Sequence, residues 1–151
     1  MPLTCPHVSY TAGIGSGLAA GTALGLFLKL AQAWSGARVY TLLLNVDFIP
    51  LLARPLPEWV EFALHLGFAA ALGAVFARLM RRRRWPLFWG ALLGIAAIPL
   101  YVPLSLLSER VPELDDRIAW LWWSAGHMLF GLTLGACGLW KRSAKVPAGP
   151  A

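Results

Sequence analysis

Residues 81–107 read RRRRWPLFWGALLGIAAIPLYVPLSLL. Four arginines stop at Trp85, and from there to Leu107 no side chain carries a charge. A helix on the surface of a soluble domain would show a charged face once per turn. This stretch has none, and at 1.5 Å per residue it is long enough to cross a hydrocarbon core of ~30 Å. It reads as a membrane span that begins at a basic surface.

Three more stretches are about as long and nearly as free of charge: Thr11 to Trp34, with Lys29 alone; Trp59 to Met80, with Glu61 and Arg78 near its ends; and Ile118 to Trp140, with none. Trp34, Trp59, Trp85 and Trp140 stand at the ends, where indole rings favour the headgroup zone. In lipid the backbone must satisfy its own hydrogen bonds, so each stretch is expected to be a helix. Composition agrees. Hydrophobic residues make up 58% of the 151-residue chain and charged ones only 13%, about half the usual ~25% of a soluble domain. The expected fold class is all-α: one integral membrane bundle of four transmembrane helices, with spans at about 11–34, 59–80, 85–107 and 118–140, in contact with the lipid bilayer.

The net charge of +6 lies at the ends of the apolar stretches and forms no basic face with interleaved aromatics. It therefore reads as a topology signal and argues against nucleic acid as a partner. Eight of the 13 basic residues (Arg78, Arg81, Arg82, Arg83, Arg84, Lys141, Arg142, Lys145) fall on one side, with no acid. The other side holds all seven acids, Asp47, Glu58, Glu61, Glu109, Glu113, Asp115 and Asp116, with the remaining five bases. The positive-inside rule puts the arginine run and both termini in the cytoplasm. The run should also attract anionic lipid, by ~1 kcal/mol per residue near the surface. Ala31-Gln32-Ala33 resembles a cleavage site. However, no basic residue precedes the apolar run, the run outlasts a signal h-region, and Lys29 sits where cleavage would fall, so the stretch reads as a retained span.

Between the first two spans, residues 39–53 read VYTLLLNVDFIPLLA. Asp47 and Pro50 would be costly in mid-bilayer. The segment reads as re-entrant or interfacial on the outer face; a fifth span is the competing reading.

Gly13, Gly17, Gly21 and Gly25 are four residues apart and form one smooth stripe, and Gly90 and Gly94 repeat the spacing. Small residues so placed let helices approach closely in lipid, within the bundle or between copies in a homo-oligomer. Two spans share the pattern H-x-x-F-x-x-x-L-G, from His65 to Gly73 and from His127 to Gly135. Both run inward, so the two histidines should lie at similar depth in the outer half, as a two-helix unit used twice would place them. Two histidines there admit four roles: a hydrogen bond to a neighbouring helix, a proton or small-ligand site, axial ligation of a b-type haem, or a metal site lacking its third ligand. Lys29 either snorkels to the headgroups or joins Asp47, Glu58 or Glu61 at the outer mouth. With His65, His127, Asp47 and Glu61 it would form an outward-facing ligand site. Pro99 and Pro103 should kink the third span beside it. Cys5 and Cys137 form no metal or redox pattern, and no nucleophile–base pair or nucleotide fingerprint points to an enzyme.

Taken together, Gly21, Gly25 and Lys29, His65 and Phe68, Trp89, Gly90 and Gly94, and Gly126 and His127 resemble the YagU-like family of small bacterial inner-membrane proteins. The long insertion that some members carry between the first two spans is shortened here. The resemblance implies a bacterial inner-membrane location and four spans, and it implies no reaction.

Overall fold

The computed structural model describes residues 9–46 and 56–143, the last three by backbone only. Every regular element among the described residues is helical: α1 (Tyr10–Ser35), α2 (Val39–Leu44), α3 (Glu58–Met80), α4 (Pro86–Ala97), a 3₁₀ turn (Ile98–Leu100), α5 (Tyr101–Leu106) and α6 (Arg117–Ser143). Three helical stretches are long and apolar enough to cross a membrane: Tyr10–Ser35, Glu58–Met80 and Pro86–Leu106. The 27-residue α6 is longer than any of them but is not among the three. Trp120, Trp122, Trp123, Ser124 and His127 lower its mean hydropathy.

The helix ends follow local chemistry. Ser9 caps α1 by accepting from the Ala12 amide at 3.2 Å. Gly36, at φ 77°, ends α1 in the left-handed conformation that glycine adopts without strain. Asp116 accepts from the Ala119 amide at 2.9 Å and so caps α6. In the third long stretch Pro99 and Pro103 each lack an amide proton, and a 3₁₀ turn separates α4 from α5 at that point.

α1 packs along α3, α4 along α6, and α1 against α6, while α3 and α4 barely touch. Acidic residues and α2 gather at one end of the bundle. The arginine run lies at the other, where the Arg81 guanidinium sits 4.3 Å above the Tyr10 ring.

Glycine sets both close pairs. A Cβ added to Gly17 would strike the Ala69 carbonyl, and one on Gly90 the Gly131 carbonyl. Gly21 meets Ala69 and His65, and Gly94 meets Gly131 and His127. The register is constant: 90 − 17 and 94 − 21 are both 73, while 131 − 69 and 127 − 65 are both 62. Gly73 and Gly135, the last letters of the two His motifs, occupy matching places opposite Gly17 and Gly90. The glycine stripes are thus spent on contacts inside the chain.

Large apolar side chains point outward. Leu30 is 71% exposed and Leu121 71%, and the four end tryptophans are between 73% and 83% exposed. That much contiguous apolar surface fits contact with lipid.

A side chain of α1 anchors the start of α2. The Gln32 amide oxygen accepts from the Tyr40 and Thr41 amides at 2.9 and 3.0 Å. Each bond adds roughly 1 kcal/mol, so Gln32→Leu should speed exchange of these two amides by about ten-fold or more while leaving α1 protected. Hydrogen exchange read by mass spectrometry checks this; unchanged protection of α2 would mean that packing alone holds it.

Candidate functional site

Where α4 gives way to α5, the space between α3 and α5 opens into a cavity of about 360 Å³. The walls are α3 and α4–α5. Leu24 of α1 and Trp123, His127 and Phe130 of α6 form the floor, and residues 43–46 at the end of α2 close the acidic end. Leu100 of the 3₁₀ turn lines it directly, with Pro103 and Leu104 of α5, so the helix interruption belongs to the wall. The lining is mostly apolar, and the size falls within the usual ligand range of roughly 300–1,000 Å³. At the rim, Phe68, Leu100 and Leu107 are each more than half exposed.

His65 and His127 both line this cavity, although their bonding differs. His65 Nε2 lies 3.1 Å from the Gly21 carbonyl oxygen on α1. His127 Nδ1 lies 2.9 Å from the carbonyl of Trp123, one turn earlier on its own helix. A carbonyl oxygen only accepts, so in each case the ring nitrogen carries the proton and donates. Each neutral ring then keeps one unprotonated nitrogen, Nδ1 on His65 and Nε2 on His127. Trp123 lies against His127 with ring centroids 4.2 Å apart and planes tilted by 44°, and its own Nε1–H donates to the Ile98 carbonyl at 3.1 Å. The 3₁₀ turn is thereby tied to the His127 ring.

Of the other residues expected at this site, Glu61 lines the same cavity and reaches Arg110 at 3.9 Å across its acidic end. Lys29 is elsewhere. Its ammonium pairs with Glu58 at 2.5 Å, beside a separate shallow pocket with Tyr40, Trp59 and Phe62. Both partners are more than half exposed, and such a pair adds little to stability. The Tyr40 hydroxyl also donates to Glu58, at 3.0 Å. Burial, then the Glu58 carboxylate, push its pKa up to about 12, so it remains a donor at any physiological pH. The reason for the separation is depth. Lys29 shares a helix face with Gly21 but lies eight residues beyond it, ~12 Å nearer the acidic end. Asp47 lies outside the described residues, as do Cys5 and Lys145.

Among the described residues no three His, Cys, Asp or Glu side chains converge as a metal would require. Sequence reading missed Trp123, Phe130 and Leu104. The signal for Phe130 was present, since it is the F of the second His motif. Comparison with family models, with curated proteins and with solved structures gives no match.

Proposed function

We propose that this chain is a four-span protein of the bacterial inner membrane, with its basic end and both termini in the cytoplasm. In this reading it binds a small, mostly apolar molecule in the cavity between α3 and α5, in the outer half of the bilayer, in a binding or transport role and not as an enzyme. One observation carries the ligand reading: two histidines 62 positions apart line one apolar cavity, each held by a backbone carbonyl and each keeping one free acceptor nitrogen. Buried polar groups few in number among apolar walls are the usual make-up of a ligand site.

Support for α6 as the fourth span comes from its partner and its ends. It runs antiparallel to α4, and Trp140, near its basic end, is 77% exposed, like Trp85 at the start of α4. Trp123 and His127, two of the residues that lower its hydropathy, are buried in the bundle, and its glycines face neighbouring helices. The equal glycine registers favour a two-helix unit used twice, and the likeness to the YagU-like family adds the inner membrane.

Topology is tested in a Cys5→Ser/Cys137→Ser background carrying Ser108→Cys or Lys145→Cys. An impermeant maleimide applied to intact spheroplasts should label the first and spare the second. Labelling of both would put α6 on the membrane surface and end the four-span reading.

Ligand binding is tested by native mass spectrometry of protein released from nanodiscs. A bound small molecule should be retained by the wild type and lost from Ala97→Trp, which fills the cavity. Identical spectra from the two proteins would count against the site. An absorption spectrum of the same haem-replete preparation tests the bis-histidine haem alternative: a Soret band lost in His65→Ala/His127→Ala would replace the small-ligand reading with an electron carrier.

A further inference from the structure

The cavity also says what kind of molecule it would take. We infer, resting on the ligand reading above, that its occupant is a phenol or hydroquinone head group delivered from the bilayer.

Three observations converge on this class. The first is the lining: Phe68, Phe130, Trp123 and the two imidazoles put five rings around a space of about 360 Å³. Flat rings gain from offset or edge contacts with other rings, which an acyl chain does not supply. The size is that of a small-molecule site, within the usual ~300–1,000 Å³.

The second is the polarity of the nitrogens. The N–H of His65 is committed to Gly21 and that of His127 to Trp123. What remains on each neutral ring is an acceptor, the nearby Glu61 carboxylate accepts as well, and the Asn45 amide at the acidic end of the lining can donate or accept, so acceptors predominate beside the two rings. The complement is a molecule that brings O–H donors. A quinone of the same shape brings only acceptors and leaves both nitrogens unpaired.

The third is the entrance. The Phe68, Leu100 and Leu107 side chains are exposed at the rim between two lipid-facing helices. Toward the acidic end, residues 43–46 and the Glu61–Arg110 pair cover the space. A tail on the ring would leave between α3 and α5 into the acyl chains.

The test is equilibrium binding to the full-length protein in nanodiscs, under anaerobic conditions, with four probes: decylhydroquinone, decylbenzoquinone, tail-less hydroquinone and a long-chain alcohol. The hydroquinone should bind at least about ten-fold more tightly than the quinone, the discrimination expected from one buried hydrogen bond. His127→Phe should reduce that difference by weakening the hydroquinone alone, and the acceptor left on His65 keeps the remainder. Ala97→Trp, which leaves both histidines in place, should abolish binding of both and covers the case in which His127→Phe does not fold. Equal binding of quinone and hydroquinone would overturn the class. So would tighter binding of the alcohol with the same His127 dependence, although the cavity would then stand as a ligand site. Equal affinity for the tail-less hydroquinone would overturn delivery from the bilayer. Failure of every probe to bind, with no retained molecule in the wild type, would remove the ligand reading itself.

Discussion

Gly73→Leu should destabilise the bundle by at least about 3 kcal/mol, at the upper end of what overpacking usually costs. A Cβ at Gly73 would run into the Gly13 carbonyl and the Gly17 backbone. Backbone cannot turn aside as a side chain can, so α1 and α3 would have to separate. Their separation would break the Gly21–His65 bond as well. For a chain of this size the apparent melting temperature should fall by roughly 6–12 °C. Gly67 supplies the control, since it lies on the same helix with nothing within 4 Å of an added Cβ. Gly67→Ala should raise stability by about 0.5–1 kcal/mol, because alanine loses less backbone freedom on entering a helix. Thermal unfolding in one detergent, followed by circular dichroism, compares the two. If Gly73→Leu melts with the wild type, the glycine register does not hold the pair together.

The two glycines show what could be read in the letters and what could not. Stretches such as 85–107 were legible because an uncharged run of that length has few other uses. The stripe from Gly13 to Gly25 was legible as a packing face because its period is helical. Its counter-surface was not: Gly73 and Gly135 were visible only as the ends of two similar motifs, and nothing local says which helix they face. The pairing of α1 with α3 and of α4 with α6 is a tertiary choice.

The site divides along the same line. His65 and His127 could be placed at similar depth from their distance to the acidic ends. Their meeting at one cavity depends on α3 and α4 standing apart, which follows from packing against α1 and α6. Lys29 shows the limit of such reasoning, since a shared face and a shared end do not make a shared site when the two positions are ~12 Å apart along the axis. The 39–44 part of the segment after α1 reads apolar yet forms a short docked helix, because Gln32 supplies acceptors that its amides would otherwise lack.

Trp123→Ala should cost about 3–5 kcal/mol, the range for removing a buried aromatic side chain. Trp123 is 2% exposed and joins three parts of the site. Its ring packs at a tilt against His127 and meets Tyr101 edge-on at 6.1 Å, and its Nε1–H reaches the Ile98 carbonyl in the 3₁₀ turn. Trp123→Phe separates these contributions. It keeps most of the ring volume and loses the donor, and the Ile98 carbonyl still receives the Tyr101 amide, so the expected loss is only about 1 kcal/mol. Chemical unfolding in mixed micelles would rank the two variants, and hydrogen exchange across residues 98–106 would report on the turn. Loss of protection there in the phenylalanine variant, with stability nearly unchanged, would assign the indole N–H to shaping the cavity wall and the ring to holding the bundle. A phenylalanine variant as unstable as the alanine one would reverse that assignment. The interruption at Pro99 would then depend on a single hydrogen bond from the residue that also positions His127.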